Sequence, residues 1–414
     1  MRVWLMRASE LMPVVDGNDH LLRMGLLGEK LSEKSHDVTW FASTFNHFKK
    51  KQYSDIDTIV DVADNYRLNL IKTPSYKKNI SISRIINHKV LAIKLKRKIK
   101  NMEIPDLIFA SFPTIEMAYE AIKYGKKNNV PVIVDVRDLW PDTFKHNLHG
   151  IIKMLSFPFV WYLEKKTHYI MKNAYSITSI SSLMLNWALE KGKRIKTEND
   201  EFFYIGYKSK SIDNVDKKKL SLQIKLKKNK SYVCFFATIN NQFNYSLIVD
   251  VAKKLENKNI DIIVCGQGPK LEMFQSLSKT KEVDNILFLG WQEKANLDYI
   301  LDHSIAGFAP YNDTFDFQMS VSNKFAEYLS HSLPVVITSS GYMKQLIYEN
   351  KIGFASDNVD ELCNFFVNIS KNEKLRNELS NNAIELYRKM FDADIIYEEM
   401  SNFLEKICKE YEEK

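Results

Sequence analysis

One stretch, Ser320 to Pro334 (SVSNKFAEYLSHSLP), sets residue types able to hold an anion and a diol within a few positions of one another. On a helix, Asn323 and Glu327 share a face with Ser320, while Phe325 and Leu329 fall on the opposite side and can pack inward. The amino end of that helix and the Lys324 ammonium favour a diphosphate, with Ser322 a further donor-binding candidate, and a carboxylate at Glu327 can accept both ribose hydroxyl protons. An exposed Lys–Glu pair on an ordinary surface helix accounts for the same residues about as well. Weaker signals lie upstream. In IIVCGQGP, Ile262 to Pro269, a buried strand runs into a turn where Gly266 and Gly268 let backbone approach a ligand closely. The full dinucleotide fingerprint is absent, and a plain β-to-α turn explains those glycines by themselves. In NILFLGW, Asn285 to Trp291, the strand ends at Gly290 and Trp291, placed either to border a nucleotide base or to cover a sheet edge.

The first half offers a second group. A long polar loop, Arg7 to Asn18, follows the opening strand and closes on Asp16-Gly17-Asn18 just ahead of a helix, the position where open α/β sheets take ligands. The run VIVDVRDLWPD, Val132 to Asp142, drives an apolar strand into Arg137, Asp138, Trp140 and Asp142. Charges at a strand's carboxyl end mean a site or a buried ion pair, and the site is favoured because Pro141 stops a simple continuation of helix or strand. Arg84 to Lys100 interleaves seven basic residues, Lys94, Lys96, Arg97 and Lys98 among them, with aliphatic ones, the pattern of a basic amphipathic helix at a membrane or acceptor. Its alternative is a helix whose apolar side packs on the first sheet.

Behind these residues, short β-branched or aromatic runs alternate with helical-period segments almost from end to end, the signal for βαβ units and parallel sheets. At 414 residues and 45% hydrophobic content the chain exceeds what one core serves. The expected fold is α/β, two Rossmann-like doubly wound domains facing a cleft. Residues 1–207 form an acceptor-side domain, 208–230 a lysine-rich linker, 231–392 a nucleotide-binding domain, and 393–414 a helix packing back towards the first domain. Expected strands are near 2–6, 37–42, 67–72, 106–111, 131–136, 175–180, 202–205, 232–237, 260–265, 285–290, 304–309, 333–338 and 352–355. The four cysteines are scattered without metal-ligand spacing, which fits reduced thiols in a cytosol. No secretory signal is evident at the amino terminus. The apolar run Met154 to Leu163, flanked by Lys153 and Lys165, is too short to span a bilayer but able to lie in its interface. Of the net charge of +8, residues 1–200 carry the excess, 32 basic against 21 acidic, whereas the remainder has 27 against 30. An anionic partner therefore belongs to the first half. No nucleic-acid-binding signature accompanies the basic stretches.

Taken together, EL-MPVVDGN, SHDVTWFASTFNHFKK, DVRDLWPD, SISSLM, FYIGY, FFATINNQF, IIVCGQGP, NILFLGW and SVSNKFAEYLSHSLPVV resemble the glycosyltransferase family 4 enzymes of GT-B fold, especially bacterial L-fucosamine-type transferases that build O-antigens and capsules. The resemblance implies a UDP-sugar donor held mainly by the second domain and an acceptor, often a polyprenyl-diphosphate-linked saccharide, held by the first. It matches Glu327 to the ribose-binding carboxylate, Asn323 and Lys324 to neighbouring donor positions, and Gly17 to a loop near the donor phosphates. It places Arg137 and Asp138 where related enzymes present acceptor-side catalytic residues. It also implies retention of anomeric configuration, no cofactor and no metal, with the leaving phosphate helping to take the acceptor proton. The expected setting is cytoplasmic and peripheral at the inner membrane, with monomer and homodimer both open. Three departures stand out: Met319 occupies the place of a frequent second glutamate, FFATINNQFNY lacks the basic pair many relatives carry, and Ser35 stands where many relatives have glycine before His36. A UDP-sugar 2-epimerase on the same fold and a non-catalytic scaffold of a polysaccharide assembly remain the competing readings.

Overall fold

A computed structural model describes residues 1–17, 21–78, 81–147, 150–209, 224, 226–227 and 229–413. Two compact units divide the chain, one formed by Met1–Gly206 with Ala393–Lys414, the other by Tyr207–Asp392.

The strands of the first unit are β1 (Arg2–Met6), β2 (Asp37–Ser43), β3 (Phe45–Asn46), β4 (Lys51–Gln52), β5 (Thr58–Ala63), β6 (Tyr66–Ile71), β7 (Leu107–Phe112), β8 (Val132–Val136), β9 (Ser176–Ser179) and β10 (Glu201–Phe202). Eight of them form one sheet in the order β10-β9-β8-β7-β1-β2-β6-β5, parallel except for β5. Strands β7 and β8 are buried at every residue because helices cover both faces, which is why they read as unbroken apolar runs. Strand β5 alternates half-buried and exposed residues, and this polar edge strand is absent from the sequence expectation for that reason. The expected strand at 202–205 is shorter, ending at Phe202.

Helix Ile82–Lys98 begins at Ser81, whose hydroxyl accepts from the Arg84 N–H, and buries Leu91, Ala92 and Leu95. Helix Ala393–Glu412 lies in this unit against helix Arg23–Glu33, with Lys34 Nζ 2.9 Å from Glu398 and His36 Nε2 2.8 Å from Glu405.

The second unit carries β11 (Ser231–Phe236), β12 (Ile260–Cys265), β13 (Ile286–Gly290), β14 (Ala306–Ala309), β15 (Val335–Ile337) and β16 (Gly353–Ala355), all parallel, in the order β13-β12-β11-β14-β15-β16. This is the doubly wound order, and its topological switch point falls between β11 and β14. The loops leaving β11, β12 and β13 are zipped together: Ala237 N–H donates to the Cys265 carbonyl, Ile239 to Gln267 and Gly266 to Gly290. At Gly266, φ is +142° and a Cβ would stand 1.8 Å from the Ala237 oxygen, so only glycine allows these loops to close on each other.

All four cysteines are free and buried. Among the described residues no helix is long and apolar enough to cross a membrane.

Candidate functional site

Helix Asn323–Ser330 sits over the switch point of the second unit. Its Tyr328 hydroxyl, 3.1 Å from both the Cys234 and the Phe308 carbonyls, bolts it to β11 and β14. Gly307 makes room for that ring, since a Cβ there would lie 2.2 Å from it. Ser322 caps the helix, its side chain accepting from the Phe325 N–H. Ser320 precedes the helix in extended backbone and does not share a helical face with Asn323 and Glu327, a correction to the sequence reading: the cap at Ser322 starts the helix three residues later. Phe325 and Leu329 are buried, as their spacing requires, and Asn323 is exposed.

Lys324 is half-buried, its ammonium 5.8 Å from the ring centre of Phe236 and 5.3 Å from that of Phe243. Among the described residues no carboxylate or hydrogen-bond acceptor is paired with it. Burial brings its pKa down to about 8, with the Glu327 charge opposing. Glu327 is better supported: its Oε1 accepts from the Tyr207 hydroxyl at 2.9 Å and lies 3.8 Å from Lys294 Nζ. Burial raises its carboxyl above the usual range, while Lys294 and the Tyr207 hydrogen bond pull it back. Lys294 also pairs with Asp298, and His331 bridges Asp298 and Asp302 at 3.1 and 2.8 Å. Burial alone would lower the His331 pKa, but those hydrogen bonds outweigh it and hold it above its ordinary value. Tyr207 and Lys294 were not among the sequence candidates. They reach Glu327 from distant parts of the chain, which a local motif cannot show.

Gly266 and Gly268 pack against the Ala237 and Ile239 backbone, so the neighbouring loop accounts for both glycines. Gly290 ends β13 with φ +70° and open space where a Cβ would project, and Trp291 beside it is 63% exposed. Gly17, in the first unit, has φ +88° and is exposed. Asn18 lies outside the described residues.

In the first unit, the carboxyl ends of β1, β7 and β8 gather a dense ion network. Arg137 donates to Glu10 Oε2, and Glu10 Oε1 accepts from the Met24 N–H at 2.7 Å. Arg23 grips Asp135 with two bonds of 2.8 and 3.0 Å, both groups being fully buried, and also reaches the Phe203 and Tyr204 carbonyls. Burial and the Arg137 charge lower Arg7 to about 10. The Arg137 guanidinium, 11% exposed, is thus committed to an ion pair with a buried carboxylate. Asp138 accepts from the Leu139 N–H at 2.7 Å and the Thr143 hydroxyl at 3.2 Å, anchoring the turn into helix Asp142–Asn147. Sequence reasoning singled out Arg137 and Asp138 but not Glu10, which lies 127 positions from Arg137 and carries no local signal of that pairing. Lys94 pairs with Asp57 at 3.2 Å and Lys96 approaches Glu120 at 3.9 Å, while Arg97 and Lys98 close the same helix.

Residues 216–386 match the family profile of Glycosyl transferases group 1. No curated protein sequence matches the chain. Among solved structures, sucrose-phosphate synthase from Thermosynechococcus elongatus superposes with a TM-score of 0.72 at 12% identity, covering 98% of both chains. Anabaena HepE in complex with UDP gives 0.68 at 13% identity over 98% of this chain and 100% of that one. WaaG, a glycosyltransferase involved in lipopolysaccharide biosynthesis, gives 0.63 at 11% over 97% and 99%. The fold is GT-B. With the group 1 domain in its second unit, the chain is a glycosyltransferase.

Proposed function

We propose that this glycosyltransferase is a family 4 enzyme of the L-fucosamine type, moving a sugar, with retention, from a UDP-sugar to a saccharide carried on a polyprenyl diphosphate during bacterial O-antigen or capsule synthesis. It works at the inner face of the cytoplasmic membrane, without a metal. The observation that carries the donor half is Lys324: a half-buried ammonium over two aromatic rings, without a carboxylate partner among the described residues, beside a carboxylate held by Tyr207. A cation so placed is matched to an incoming diphosphate, and Glu327 to the ribose. HepE, of like fold, binds UDP, which supports the nucleotide. In the reaction the bond between the sugar's anomeric carbon and the UDP oxygen breaks, and an acceptor hydroxyl bonds to the same face. Its proton passes to the departing phosphate. Lys324 stabilises the charge that gathers there, and the protein otherwise positions the reactants.

UDP release from UDP-sugars, with and without a lipid-linked saccharide, tests the reading. Release that needs the acceptor, and that falls about 10²-fold or more in Glu327→Ala and Lys324→Ala with melting temperatures unchanged, is the expected result. Sugar isomerisation without acceptor points instead to an epimerase, and wild-type rates in both variants remove the donor-site assignment.

A further inference from the structure

Among the described residues, the contacts that hold the Glu327 carboxylate fall on Oε1, the Tyr207 hydroxyl at 2.9 Å and Lys294 Nζ at 3.8 Å. None falls on Oε2. A carboxylate with one oxygen taken and the other open can accept a ligand hydroxyl without giving up any bond to the protein.

Each of the two holders is itself fixed. Tyr207 opens the second unit, and its backbone is pinned at both ends: its N–H donates to the Phe391 carbonyl at 2.9 Å, and its carbonyl accepts from the Tyr387 hydroxyl at 2.8 Å. Lys294 belongs to a charge ladder between two helices. Lys294, Asp298 and Asp302 recur with i,i+4 spacing along helix Lys294–Asp302, and Glu327 and His331 recur with the same spacing on helix Asn323–Ser330 and its carboxyl cap. Facing one another, they alternate in sign. Lys294 stands between Glu327 and Asp298, and protonated His331 stands between Asp298 at 3.1 Å and Asp302 at 2.8 Å. The Lys294 ammonium also lies 5.1 Å from the Tyr207 ring centre, so the two holders steady each other. The side chains of Lys294, Asp298 and His331 are only 19, 3 and 7% exposed, so this is a buried construction rather than a surface ion pair. Buried ion pairs contribute little net stability, whereas they do fix orientation.

We propose that Tyr207 and Lys294 are positioning residues for the donor, holding Glu327 Oε1 so that Oε2 meets a ribose hydroxyl as a charged acceptor in one orientation. The proposal rests on the transferase reading of Glu327 and adds to it the means by which a buried carboxyl stays ionised. Burial favours the neutral acid; Lys294 opposes it, then the Tyr207 hydrogen bond and the His331 charge, while Asp298 works the other way. Lys324 on the same helix, the Cys234 thiol of β11 and the Tyr328 hydroxyl also feel the Glu327 charge, and Tyr387 acts on Tyr207.

The test is calorimetry on the full chain with UDP and with the deoxy-UDP, lacking one or other ribose hydroxyl, that binds the more weakly. The ratio of the two affinities cancels what the diphosphate contributes, Lys324 included. In the wild type a ratio of about ten or more is expected, level from about pH 6 to 8, as befits a hydrogen bond to a charged group. Tyr207→Phe and Lys294→Gln each remove a support, so Glu327 takes up a proton at higher pH, and their ratios should fall by about three-fold or more as pH drops towards 6. Lys294→Arg, which stays charged, restores the level profile. Glu327→Gln, neutral throughout, gives the low ratio at every pH. A purely structural loss moves the melting temperature and both affinities together and leaves the ratio level with pH. Tyr207→Phe loses only a hydroxyl, so the test stands even where Lys294→Gln fails to fold. Level, wild-type ratios in Tyr207→Phe and Lys294→Gln overturn the proposal and leave the donor reading intact. A wild type that binds UDP and both deoxy forms equally takes Glu327 off the ribose, and one that binds no UDP sinks the donor reading, the proposal falling in either case.

Discussion

Lys324 carries the donor assignment, and its ionisation makes the assignment measurable. With its pKa lowered to about 8 by burial, the free protein loses this charge as pH rises through 8. A bound diphosphate stabilises the ammonium and raises that pKa, so between the two values binding takes up a proton. UDP affinity is therefore expected to be flat below about pH 7 and to weaken above pH 8, by up to about ten-fold per pH unit. Calorimetry near pH 8.5 in two buffers of different ionisation heat reads the uptake directly. Lys324→Arg, which stays charged, should remove the slope. A Kd that holds constant from pH 7 to 10 in the wild type takes Lys324 off the diphosphate. The pair Lys324 and Glu327 was legible because both lie within one turn of one helix, where side-chain spacing is fixed by the backbone. Tyr207 was not, because its bond to Glu327 spans 120 positions and nothing in the intervening residues encodes it.

At the scale of elements, the two segments marked for a membrane differ in what they leave exposed. The basic helix Ile82–Lys98 buries Leu91, Ala92 and Leu95 but leaves Ile82, Ile86 and Ile93 exposed, and two of its lysines already face Asp57 and Glu120. Helix Gly150–Asn173 keeps its outer aromatic and aliphatic residues in the open. Burying one large apolar side chain is worth about 1.5–3 kcal/mol, against roughly 1 kcal/mol for a basic side chain near an anionic surface. Sedimentation with phosphatidylglycerol vesicles should accordingly show a fall of about ten-fold or more in the partition coefficient for Phe157→Ser combined with Trp161→Ser. Changing Lys94, Lys96, Arg97 and Lys98 together to Gln should produce a smaller fall, because part of that charge is paired within the protein. The reverse ranking returns the membrane contact to the basic helix. Periodicity located both helices, yet it could not say which apolar face the rest of the chain would cover. The same blindness hid β5, an edge strand whose alternation is polar enough to pass for loop.

For the molecule as a whole, the alternation of strand and helix was enough to imply two doubly wound α/β domains, the motif resemblance narrowed that to GT-B, and structures only 11–13% identical share that fold. What the alternation specifies is which faces are apolar, and many sequences satisfy that. The buried charges are a different matter, being particular to each unit. Arg23 and Asp135 tie helix Arg23–Glu33 to β8 in the first unit, whereas Lys294, Asp298 and His331 form an ion cluster at helix Asn323–Ser330 in the second. Removing one partner of a buried pair costs about 3–5 kcal/mol, because the other charge is left without compensation. Arg23→Met strips the guanidinium from Asp135, which keeps, among the described residues, its bond from the Thr178 hydroxyl at 2.9 Å and the more distant Arg137 charge. Hydrogen exchange followed by mass spectrometry should then speed up in peptides covering β8 and β9 by about 10²-fold or more, matching that cost. UDP added to the same variant should still protect 236–243 and 322–327, since the residues that hold it belong to a unit with its own core. Unaltered exchange in β8 and β9 makes the Arg23–Asp135 pair dispensable. Loss of UDP protection in the variant means that the donor site depends on the first unit's interior.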